Sequence, residues 1–559
     1  MKNLVVAFLF SLTISAQQEY PKDYFQSPLD IPMDLSGSFG ELRSNHFHSG
    51  LDIKTNGVEG LPVYAVADGY VGRIKISTWG YGKAIYIIHP NGFTSVYAHL
   101  QKGAGDIQKA IIARQYKDKN YEVELFPLRS ELQVKKGDII GYSGNSGGSG
   151  GPHLHFEFRD TKTENIINPV FFGLNKLKPD NYAPKLANLL VYPIDSTTVN
   201  KSLRPVNLSF NKLNDGTYLS QKVEANGKIG FGINAYDFCT NPYNKNGVYK
   251  ITSYLNGEEV YKVTFDTFAF SETRYINNYI DYARYEKMRQ RVQKLFSFSD
   301  YPLSIIKDKN NGLFTVEQNR SYTYKIVIED AFNNSTSISI PIDYKDEVAS
   351  IPSEKKAKTY FVKASNEYNF VKDNISLYIP QNSFYNDFEF DFKVNNNTVD
   401  LEDESIPVHK HLTLTFSNLT LTADELSKTY IANKNGSSWN YNSTKLKGND
   451  LSTRIRELGS YKLITDNEAP KIYNCNFKTG ATLYESSKIR VSISDTSSGI
   501  NTYNTYLNGE WILMEYDYKT KRLVYDLQDK KQIVGKNDLK IVVTDNMQNS
   551  TTFETYFYF

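Results

Sequence analysis

Short stretches in which apolar and polar residues alternate make up most of the chain, and this is the period of a β-strand. Leu154, Phe156 and Phe158, for example, alternate with more polar neighbours. Two further strands, residues 83–89 and 93–100, flank an Asn-Gly pair, in which both residues tolerate positive φ and favour a tight hairpin turn. The pattern predicts a mainly β protein built of short strands and turns.

One segment departs from this pattern. In residues 281–296 the apolar positions recur at helical spacing, which predicts a basic amphipathic helix. Such helices bind membranes or partners in some proteins, but we expect this one to pack against its own domain.

A repeat marks boundaries in the C-terminal two-thirds of the chain. The motif Asp-Asn-x-Ala-Pro-Lys occurs at 180–185 and again at 466–471, and strands with Asn-Gly turns follow each copy. We interpret these units as two β-sandwich modules at 180–345 and 466–559, similar to the immunoglobulin-like modules of bacterial surface proteins. Residues 346–465 between them are predicted to form a third, β-rich module.

The N-terminus has the composition of a secretory signal peptide. Residues 1–16 combine a basic start, an apolar run and small residues at its end. The run is too short to span a bilayer stably, and no second long apolar segment follows. We therefore expect an exported protein of the periplasm, cell envelope or extracellular space, with no integral membrane segment in the mature chain.

Overall composition narrows the classes of function. The 559 residues include 64 Lys and Arg against 62 Asp and Glu, and this balance argues against a nucleic-acid partner. The 42 tyrosines and 32 phenylalanines agree with a mostly β structure. The two cysteines, Cys239 and Cys475, lie in different predicted modules, and we interpret them as separate buried thiols rather than a disulfide.

Histidines and one aspartate in the N-terminal third predict a metal site. His153 and His155 are two residues apart on a predicted strand, so both lie on one face. Upstream, His48 is followed four residues later by Asp52. Two histidines and a carboxylate make a three-ligand set that leaves zinc a fourth position for water, an arrangement typical of catalysis. His46 shares the predicted strand face of His48, and we favour a hydrogen-bonding role for it in the wall of the site.

The remaining histidines are interpreted from their place in the predicted elements. His99 ends the second strand of the hairpin, where a side chain projects into a cleft. His89, at the turn, is predicted to be structural or solvent-facing. His409 and His411 repeat the two-residue spacing, but no motif with a carboxylate and a histidine lies nearby. We therefore interpret that pair as ordinary strand surface.

Five motifs follow one another in the N-terminal third. They are His48-x-x-x-Asp52, Tyr97-Ala98-His99-Leu100, Val134-Lys135-Lys136-Gly137-Asp138-Ile139-Ile140-Gly141, Gly144-Asn145-Ser146-Gly147 and Gly151-Pro152-His153-Leu154-His155-Phe156-Glu157. Together they closely resemble the lysostaphin/LytM-type zinc metallopeptidases, which hydrolyse peptide bonds in bacterial peptidoglycan. The resemblance covers residues 35–170. It implies that His48, Asp52 and His155 bind zinc, that His99 and His153 form the catalytic pair, and that an antiparallel β-sheet floors the groove.

The chain departs from this family between His99 and the Val134 motif. The family typically has a short connection there, whereas this chain has a long insertion, residues 101–133. Long loops inside compact domains are usually functional or disordered, and the apolar residues of this one need a surface to pack against. We weigh two interpretations, a gate over the groove and an ordered surface excursion that points away from the cleft.

These observations predict an exported zinc metalloendopeptidase whose catalytic domain spans residues 17–175. We expect one zinc ion per chain, peptidoglycan stem peptides as substrate, and β-sandwich modules that position the enzyme through a cell-envelope partner. The sequence leaves open which crosslink is cleaved and how His99 and His153 divide their roles. Two alternatives are a non-catalytic cell-wall-binding or scaffold protein and a zinc protease that acts on proteins. The retained ligands and catalytic histidines argue against the first.

Overall fold

The mainly β architecture expected from the sequence is confirmed in the computed structural model. The structure describes residues 20–238, 244–298, 303–349, 358–395, 398–401, 404–529 and 533–559. The predicted signal segment and Cys239 lie outside these residues, whereas Cys475 is half-buried with a free thiol. Among the helices described, none has both the length and the apolar character needed to cross a membrane.

An antiparallel sheet organises the N-terminal domain. Its strands and helix are β1 Leu35–Gly37, β2 Leu51–Lys54, β3 Pro62–Tyr64, β4 Gly69–Ile76, β5 Lys83–Ile88, β6 Phe93–Ala98, β7 Lys102–Gly103, α1 Gly105–Asp118, β8 Val123–Leu125, β9 Gln133–Val134, β10 Ile139–Tyr142, β11 His153–Asp160 and β12 Ile166–Ile167. The main sheet has the order β1-β2-β11-β6-β5-β4-β8, with β12 beside β11 and β9 beside β4, and β3-β10-β7 form a smaller sheet. The strand β11 is central, because β2 and β6 flank it.

The hairpin between β5 and β6 is wider than the Asn-Gly pair predicts. Its turn contains four residues, closed by a hydrogen bond from the N–H of His89 to the carbonyl of Phe93 at 2.9 Å. Gly92 adopts a φ of 87°, but Asn91 stays outside the left-handed region. Positive φ is therefore needed at one turn position only, and glycine supplies it without steric cost.

The insertion forms ordered structure at the edge of the main sheet. It contains β7, α1 and β8, and β8 pairs with β4. Ile107 and Ile111 of α1 are buried, each 5% exposed, whereas Phe126 is 69% exposed. Tyr116 at the C-terminal end of α1 packs edge-on against Trp511 of the last module, with ring centroids 5.4 Å apart. The apolar face of the insertion is thus shared between its own domain and that module.

The first module is a sandwich of two sheets. Its elements are β13 Lys185–Pro193, β14 Val206–Leu208, β15 Phe210–Lys212, β16 Tyr218–Ser220, β17 Val223–Ala225, β18 Gly227–Tyr236, β19 Lys250–Leu255, β20 Glu258–Thr264, β21 Thr267–Phe268, α2 Ile276–Tyr279, α3 Tyr282–Met288, β22 Gln293–Lys294, β23 Ile306–Asp308, β24 Phe314–Val316, β25 Ser321–Glu329 and β26 Ser335–Tyr344. One sheet contains β14-β13-β18-β22 with β24, and the other β15-β16-β26-β25-β19-β20-β23 with β17. The short β21 instead pairs with β12, so this module extends the N-terminal sheet.

The helix predicted over residues 281–296 is wrong in its length. The helix α3 ends at Met288, because Arg289 turns left-handed with a φ of 56°. The chain then forms β22, which pairs with β18. Val292 and Leu295 are fully buried beside this strand, so pairing with the sheet overrides the helical period.

Two further modules complete the chain. The middle module contains β27 Tyr360–Val362, β28 Tyr368–Lys372, β29 Ile375–Ile379, β30 Phe388–Phe390, β31 Phe392–Asn395, β32 Thr398–Leu401, β33 Leu412–Phe416, α4 Ala423–Ser427, β34 Thr429–Asn435, β35 Ser438–Tyr441, β36 Thr444–Lys447, β37 Asp450–Ile455 and β38 Gly459–Thr465. The last module contains β39 Lys471–Tyr473, β40 Lys488–Ser494, β41 Ile500–Leu507, β42 Glu510–Ile512, β43 Glu515–Asp517, β44 Arg522–Asp526, β45 Lys536–Asp545 and β46 Ser550–Tyr558. Short 3₁₀ helices lie at Pro169–Phe172, Phe270–Tyr275, Asn310–Gly312 and Leu527–Asp529. The middle module has two five-stranded sheets and a two-stranded ladder, and the last has two four-stranded sheets.

His89 is a structural residue of the N-terminal domain, not a solvent-facing one. It is 2% exposed, its Nδ1 lies 2.9 Å from the carbonyl oxygen of Asp68 and its Nε2 lies 2.8 Å from the hydroxyl of Ser95. Burial lowers the pKa of His89 from its ordinary 6.5 to about 4. The folded domain therefore holds this ring neutral.

This depressed pKa predicts a loss of stability in mild acid. The unfolded chain takes up a proton at His89 below about pH 6.5, while the folded chain resists it down to the pKa of about 4. The contribution of His89 to the free energy of unfolding is therefore full above pH 6.5. It declines as the pH falls from 6.5 to 4, by about 3 kcal/mol at most. Calorimetric midpoints of the N-terminal domain across this range should fall more steeply for the natural protein than for His89→Gln. Equal slopes would contradict the assignment.

Candidate metal centre

Three predicted ligands converge on one point above the centre of the sheet. His48 Nε2 and His155 Nδ1 each lie 3.0 Å from Oδ1 of Asp52, and the two nitrogens are 3.1 Å apart. The register of the sheet explains this, because Asp52 on β2 stands directly opposite His155 on β11. All three residues are buried, with exposed fractions of 3–7%.

His48 reaches this point from a loop rather than from a strand. Only an isolated bridge between Leu42 and Phe47 forms there, so the strand face expected for His46 and His48 does not exist. Gly50 lets the loop lie against β11, because a Cβ atom at this position would come within 2.2 Å of the carbonyl oxygen of Phe156. The close approach brings His48 and Asp52 to the same side of the sheet.

Hydrogen bonds fix which nitrogen of each ligand histidine carries a proton. Nδ1 of His48 lies 2.7 Å from the carbonyl oxygen of Ser38, and a carbonyl only accepts, so Nδ1 is the donor. Nε2 of His155 lies 2.8 Å from the carboxylate of Glu157 and donates to it. The second ring nitrogen of each histidine therefore faces Asp52 and offers a lone pair to a cation when it carries no proton. Three electron-rich atoms at this spacing fit a cation, since ligands about 2.0–2.1 Å from a tetrahedral zinc ion stand about 3.3 Å apart.

Glu157 holds His155 in place, and the sequence analysis assigned it no role. This carboxylate is fully buried. One oxygen accepts from His155, from the Ser49 hydroxyl at 2.5 Å and from the Tyr81 hydroxyl. The other accepts two hydrogen bonds from Arg159, at 2.6 and 2.8 Å. Metal-binding histidines commonly donate their second N–H to such a carboxylate, which orients the ring and raises its basicity.

A signal for this network was present in the sequence. His153, His155, Glu157 and Arg159 follow one another at the two-residue period of β11, so one face of the strand is polar throughout. Four polar residues on one face of a central strand need partners, because burying them unpaired is costly. Ser49 and Tyr81, by contrast, come from distant segments that only the fold brings together.

The electrostatics of the pocket favour positive charge. Burial would raise the pKa of Asp52, but the neighbouring histidines hold it well below its usual range, so the carboxylate is ionised. Burial lowers the pKa of His155, but hydrogen bonds to Asp52 and Glu157 outweigh this effect and raise it to about 9. Arg159 lowers the pKa of Glu157 and neutralises its charge. Asp52 thus remains as the anionic ligand of a site that suits a divalent cation.

His99 and His153 lie beside this triangle. Their ring centroids are 4.8 Å apart, and that of His99 is 5.8 Å from that of His155. Nδ1 of His99 donates to the carbonyl of Ser146 at 2.8 Å, and Nδ1 of His153 donates to that of Gly151 at 2.8 Å. One loop therefore orients both rings through backbone carbonyls.

His99 has two properties that are typical of residues in functional sites. Its φ of 58° lies in the left-handed region, which non-glycine residues seldom adopt outside sites where the surroundings enforce it. Burial, together with His155 and His153, lowers its pKa to about 3. The ring is therefore neutral and carries a lone pair on Nε2.

The other histidines are not brought to the site. His46 is exposed, and its Nδ1 donates to the carbonyl of Ser44 at 2.8 Å. His409 and His411 precede β33 instead of lying in a strand. Nδ1 of His409 lies 3.1 Å from the Tyr385 hydroxyl, and that of His411 lies 3.2 Å from the guanidinium of Arg454. The positive charge of Arg454 beside His411 disfavours metal binding by His409 and His411.

The last module contacts the loops around His99. Tyr518 stacks on Trp79 with centroids 3.9 Å apart, and its hydroxyl donates to the carbonyl of Gly147 at 3.1 Å. Lys519 donates to the side-chain oxygen of Asn145 at 3.1 Å. Glu515 accepts from Lys83 on β5 with both oxygens at 2.8 Å. The insertion reaches the same rim, where its Glu122 accepts from the N–H of Thr78 at 2.7 Å.

The family model for peptidase family M23 matches residues 46–116 and 119–169, the segment that contains all five residues of the site. The N-terminal domain is a peptidase family M23 domain. A second family model, the Zu5-like domain, matches residues 359–466, which form the middle module.

Relatives of known name match the M23 domain. The DD-carboxypeptidase/endopeptidase Mpg of Neisseria meningitidis serogroup B is 32% identical over 133 residues, which are 24% of this chain and 24% of that protein. The peptidoglycan DD-endopeptidase ShyC of Vibrio cholerae is 28% identical over 145 residues, 24% of this chain and 27% of that protein. The solved catalytic domain of lysostaphin from Staphylococcus simulans is 26% identical, with 24% of this chain and 86% of that one covered and a TM-score of 0.18. The chain spans about a quarter of the length of the two curated relatives.

The contacts of Glu157 predict its contribution to metal binding. Replacing it by Gln removes the negative charge that His155 and Arg159 face, so we expect metal affinity to fall by about 10–100-fold. Glu164→Gln is the matched control, because it removes a carboxylate 3.2 Å from Arg159 but leaves His155 untouched. Competition with a zinc-binding dye would measure the zinc affinity of both variants. If Glu164→Gln weakened zinc binding as much, the effect would belong to Arg159 rather than to His155.

The rim contacts predict a further, dynamic effect. Tyr518 and Lys519 hold the loop whose Ser146 carbonyl orients His99, so replacing both by Ala should release that loop. We expect faster hydrogen exchange at the amide of Gly148, which donates to the carbonyl of Gly80 at 2.7 Å.

The control for the rim variant is Lys540→Ala, which removes an exposed ion pair with Glu554 within the same module. It should leave the exchange of Gly148 unchanged. Unchanged exchange in the Tyr518→Ala, Lys519→Ala variant as well would show that these contacts do not restrain the loop.

Proposed function

We propose that the chain is an exported zinc metalloendopeptidase that hydrolyses peptide crosslinks in bacterial peptidoglycan. The observation that carries this proposal is the convergence of His48 Nε2, Asp52 Oδ1 and His155 Nδ1, with two oriented histidines beside them. A binding or scaffold protein has no need of this full constellation. The M23 domain and the activities in the names of its relatives support the reaction class and the substrate.

His48, Asp52 and His155 would hold one zinc ion. When bound, zinc supplies a Lewis acid that polarises the scissile carbonyl and lowers the pKa of water. The protein contributes ligand atoms that already face one point, because Ser38 and Glu157 orient the two rings. Little reorganisation is then needed when the ion binds.

His99 is suited to act as the general base. Its Nδ1–H is held by the carbonyl of Ser146, so its Nε2 carries the lone pair. A neutral imidazole at hydrogen-bonding distance from water accepts its proton as the water attacks the amide carbon. The left-handed backbone at this residue fixes the direction of the ring.

His153 is suited to act as the donor. Its Nε2 lies 3.4 Å from Oδ1 of Asp52, beside the point on which the three proposed ligands converge. A donor placed there stabilises the developing oxyanion or protonates the leaving amine. This proposal assigns His99 and His153 the two roles that the sequence left open.

The modules would place the catalytic cleft on the cell wall. The last module and the insertion contact the rim loops 77–82 and 144–147, so they border the route by which a peptide strand enters. The sheet pairing of β21 with β12 fixes the first module to the catalytic domain. We infer that the modules orient the cleft through a partner in the cell envelope.

Digestion of purified peptidoglycan tests the proposal. Mass analysis of the released muropeptides should show new amine and carboxyl ends within crosslinked stem peptides. Asp52→Ala should bind far less zinc and release none of these products. A natural protein that contains zinc but releases no product from peptidoglycan, while it cleaves an unfolded protein, would overturn the substrate assignment in favour of a protein substrate.

The proposed roles predict how His99→Ala behaves. General acid–base contributions are worth about 10²–10⁴-fold in rate, so kcat should fall by that factor, while zinc content stays near one ion per chain. His46→Ala is the control, because this exposed histidine lies outside the ligand triangle. Loss of zinc in His99→Ala, or an equal loss of rate in His46→Ala, would contradict the assignment.

A further inference from the structure

Two groups of acidic residues lie outside the peptidase site, one at the start of the first module and one at the start of the last. We name them the first aspartate cluster, which contains Asp180, Asp237 and Asp330, and the second aspartate cluster, which contains Asp466, Asp495 and Asp545. In each cluster, one oxygen from every carboxylate lies within 4.8 Å of the others. The proposed hydrolysis uses neither cluster.

The first aspartate cluster is held together by neutral donors. Asp330 accepts from the backbone N–H of Asn334 at 2.9 Å and from its side-chain amide at 2.7 Å. The same amide donates to the carbonyl oxygen of Asp180 at 3.0 Å. Burial and the nearby charge of Asp180 raise the pKa of Asp330. In the described parts of the chain, neither Asp180 nor Asp330 forms a salt bridge with a lysine or arginine.

Two buried oxygens of this cluster lack a hydrogen bond. Asp180 is 4% exposed and Asn246 is 2% exposed, yet Oδ2 of Asp180 and Oδ1 of Asn246 have no partner in the part of the chain that the structure describes. Asn246 stands opposite Asp237 in an antiparallel bridge, with backbone hydrogen bonds of 3.0 and 2.7 Å in the two directions. Side chains at such a pair project to the same side. Unpartnered buried oxygens are costly, and here they point to a ligand.

The second aspartate cluster repeats this construction. Asp545 accepts from the backbone N–H and the side-chain amide of Asn549, both at 2.8 Å, and that amide donates to the carbonyl oxygen of Asp466 at 3.0 Å. Ser498 donates its N–H to the carboxylate of Asp466 at 3.0 Å, and its fully buried hydroxyl has no partner among the described atoms. The same arrangement therefore occurs twice, at matching positions of the sequence repeat.

The oxygen atoms of the two aspartate clusters indicate which kind of ion they would bind. Carboxylate and amide oxygens without nitrogen or sulfur are the ligands of hard cations such as calcium and magnesium, whereas zinc prefers histidine and cysteine. Calcium accepts about six to eight oxygens in adaptable geometry, and magnesium demands a near-octahedral set. The aspartates come from three separate segments in each module, at or beside strand ends, which suits the more adaptable ion. We propose that each aspartate cluster binds one calcium ion.

Each ion would fasten a connection between domains. Asp180 lies in the segment that leads from the M23 domain into β13, and Asp466 lies in the segment that leads from the middle module into β39. A cation bound both by this aspartate and by the two other aspartates of the cluster would hold the connecting segment against the module. Binding thus limits the angles that neighbouring domains can adopt.

The first cluster also adjoins the support of a proposed zinc ligand. Asn246 is followed by Gly247, whose N–H donates to the hydroxyl of Ser38 at 3.0 Å, and that hydroxyl lies 3.3 Å from the carbonyl oxygen of Gly247. Ser38 in turn accepts the hydrogen bond that fixes His48. Ordering of Asn246 by calcium would therefore steady the loop on which His48 depends.

Isothermal titration of the full chain with calcium chloride tests this proposal, independently of peptidase activity. We expect two equivalents for the natural protein, one for Asp180→Asn, one for Asp466→Asn and none for the double variant. Asp215→Asn is the control, because its carboxylate lies in an exposed turn and accepts from Thr217. That variant should keep two equivalents. In thermal unfolding, calcium should raise the midpoint of the natural protein by several degrees and leave the double variant unchanged.

Several outcomes would overturn the proposal. One is the absence of both heat and a shifted midpoint in the natural protein at about 10 mM calcium, above the weakest dissociation constants typical of extracellular calcium modules. Another is two equivalents retained in the double variant. Magnesium binding as tight as calcium binding would overturn the choice of ion. Because the first measurement uses the natural protein, a failure of the variants to fold leaves the test intact.

Discussion

The bond between His155 and Glu157 is the interaction on which the rest of the site depends. Burying a carboxylate in the middle of a sheet costs several kcal/mol unless other groups compensate it. Here Arg159 neutralises the charge, and Ser49 and Tyr81 fill the remaining acceptor positions. The compensated carboxylate then fixes the tautomer of His155. Because the register of β2 and β11 sets Asp52 opposite that ring, the ligand geometry follows from ordinary antiparallel pairing.

The catalytic domain does not stand alone. Phe47, one residue before the proposed ligand His48, packs against Phe265 and Phe268 of the first module, and its ring centroid lies 5.5 and 5.6 Å from theirs. The last module meets the loop that orients His99 through Tyr518. Other modules thus support two loops of the domain, the loop that carries His48 and the loop that orients His99. Such loops are the least stable parts of a fold when left exposed, so the modules contribute rigidity where the chemistry needs it.

How far the sequence predicts this structure depends on how local each interaction is. The spacing of His48, Asp52, His153 and His155 identified the residues that converge, because two-residue periodicity on a strand is a local property. The β class followed for the same reason. The network around Glu157 did not follow, since Ser49, Tyr81 and Arg159 meet only through the tertiary fold.

The errors in the sequence interpretation have the same origin. Residues 281–296 follow a helical period, yet Gln293 and Lys294 pair with β18 because an open strand position is available there. The insertion 101–133 lacked a pattern that would reveal Trp511 as a neighbour of Tyr116. In both cases a distant partner decides the local structure, and propensity is the weaker influence.

The support of His48 shows how far this dependence on distant partners extends. The loop of His48 forms no strand, and the carbonyl of Ser38 holds Nδ1 of its ring. Ser38 is itself held by Gly247 of the first module, and Gly247 follows the asparagine that faces the first aspartate cluster. A hydrogen-bonded path thus joins the charge-rich loops of the module to the ligand of the catalytic domain. The path consists of hydrogen bonds at Ser38 and covalent links within Ser38 and between Asn246 and Gly247, so a change at Gly247 is transmitted to the residue that orients the imidazole. The first module therefore has a physical role in holding the loop of His48, in addition to its sheet contact with the M23 domain.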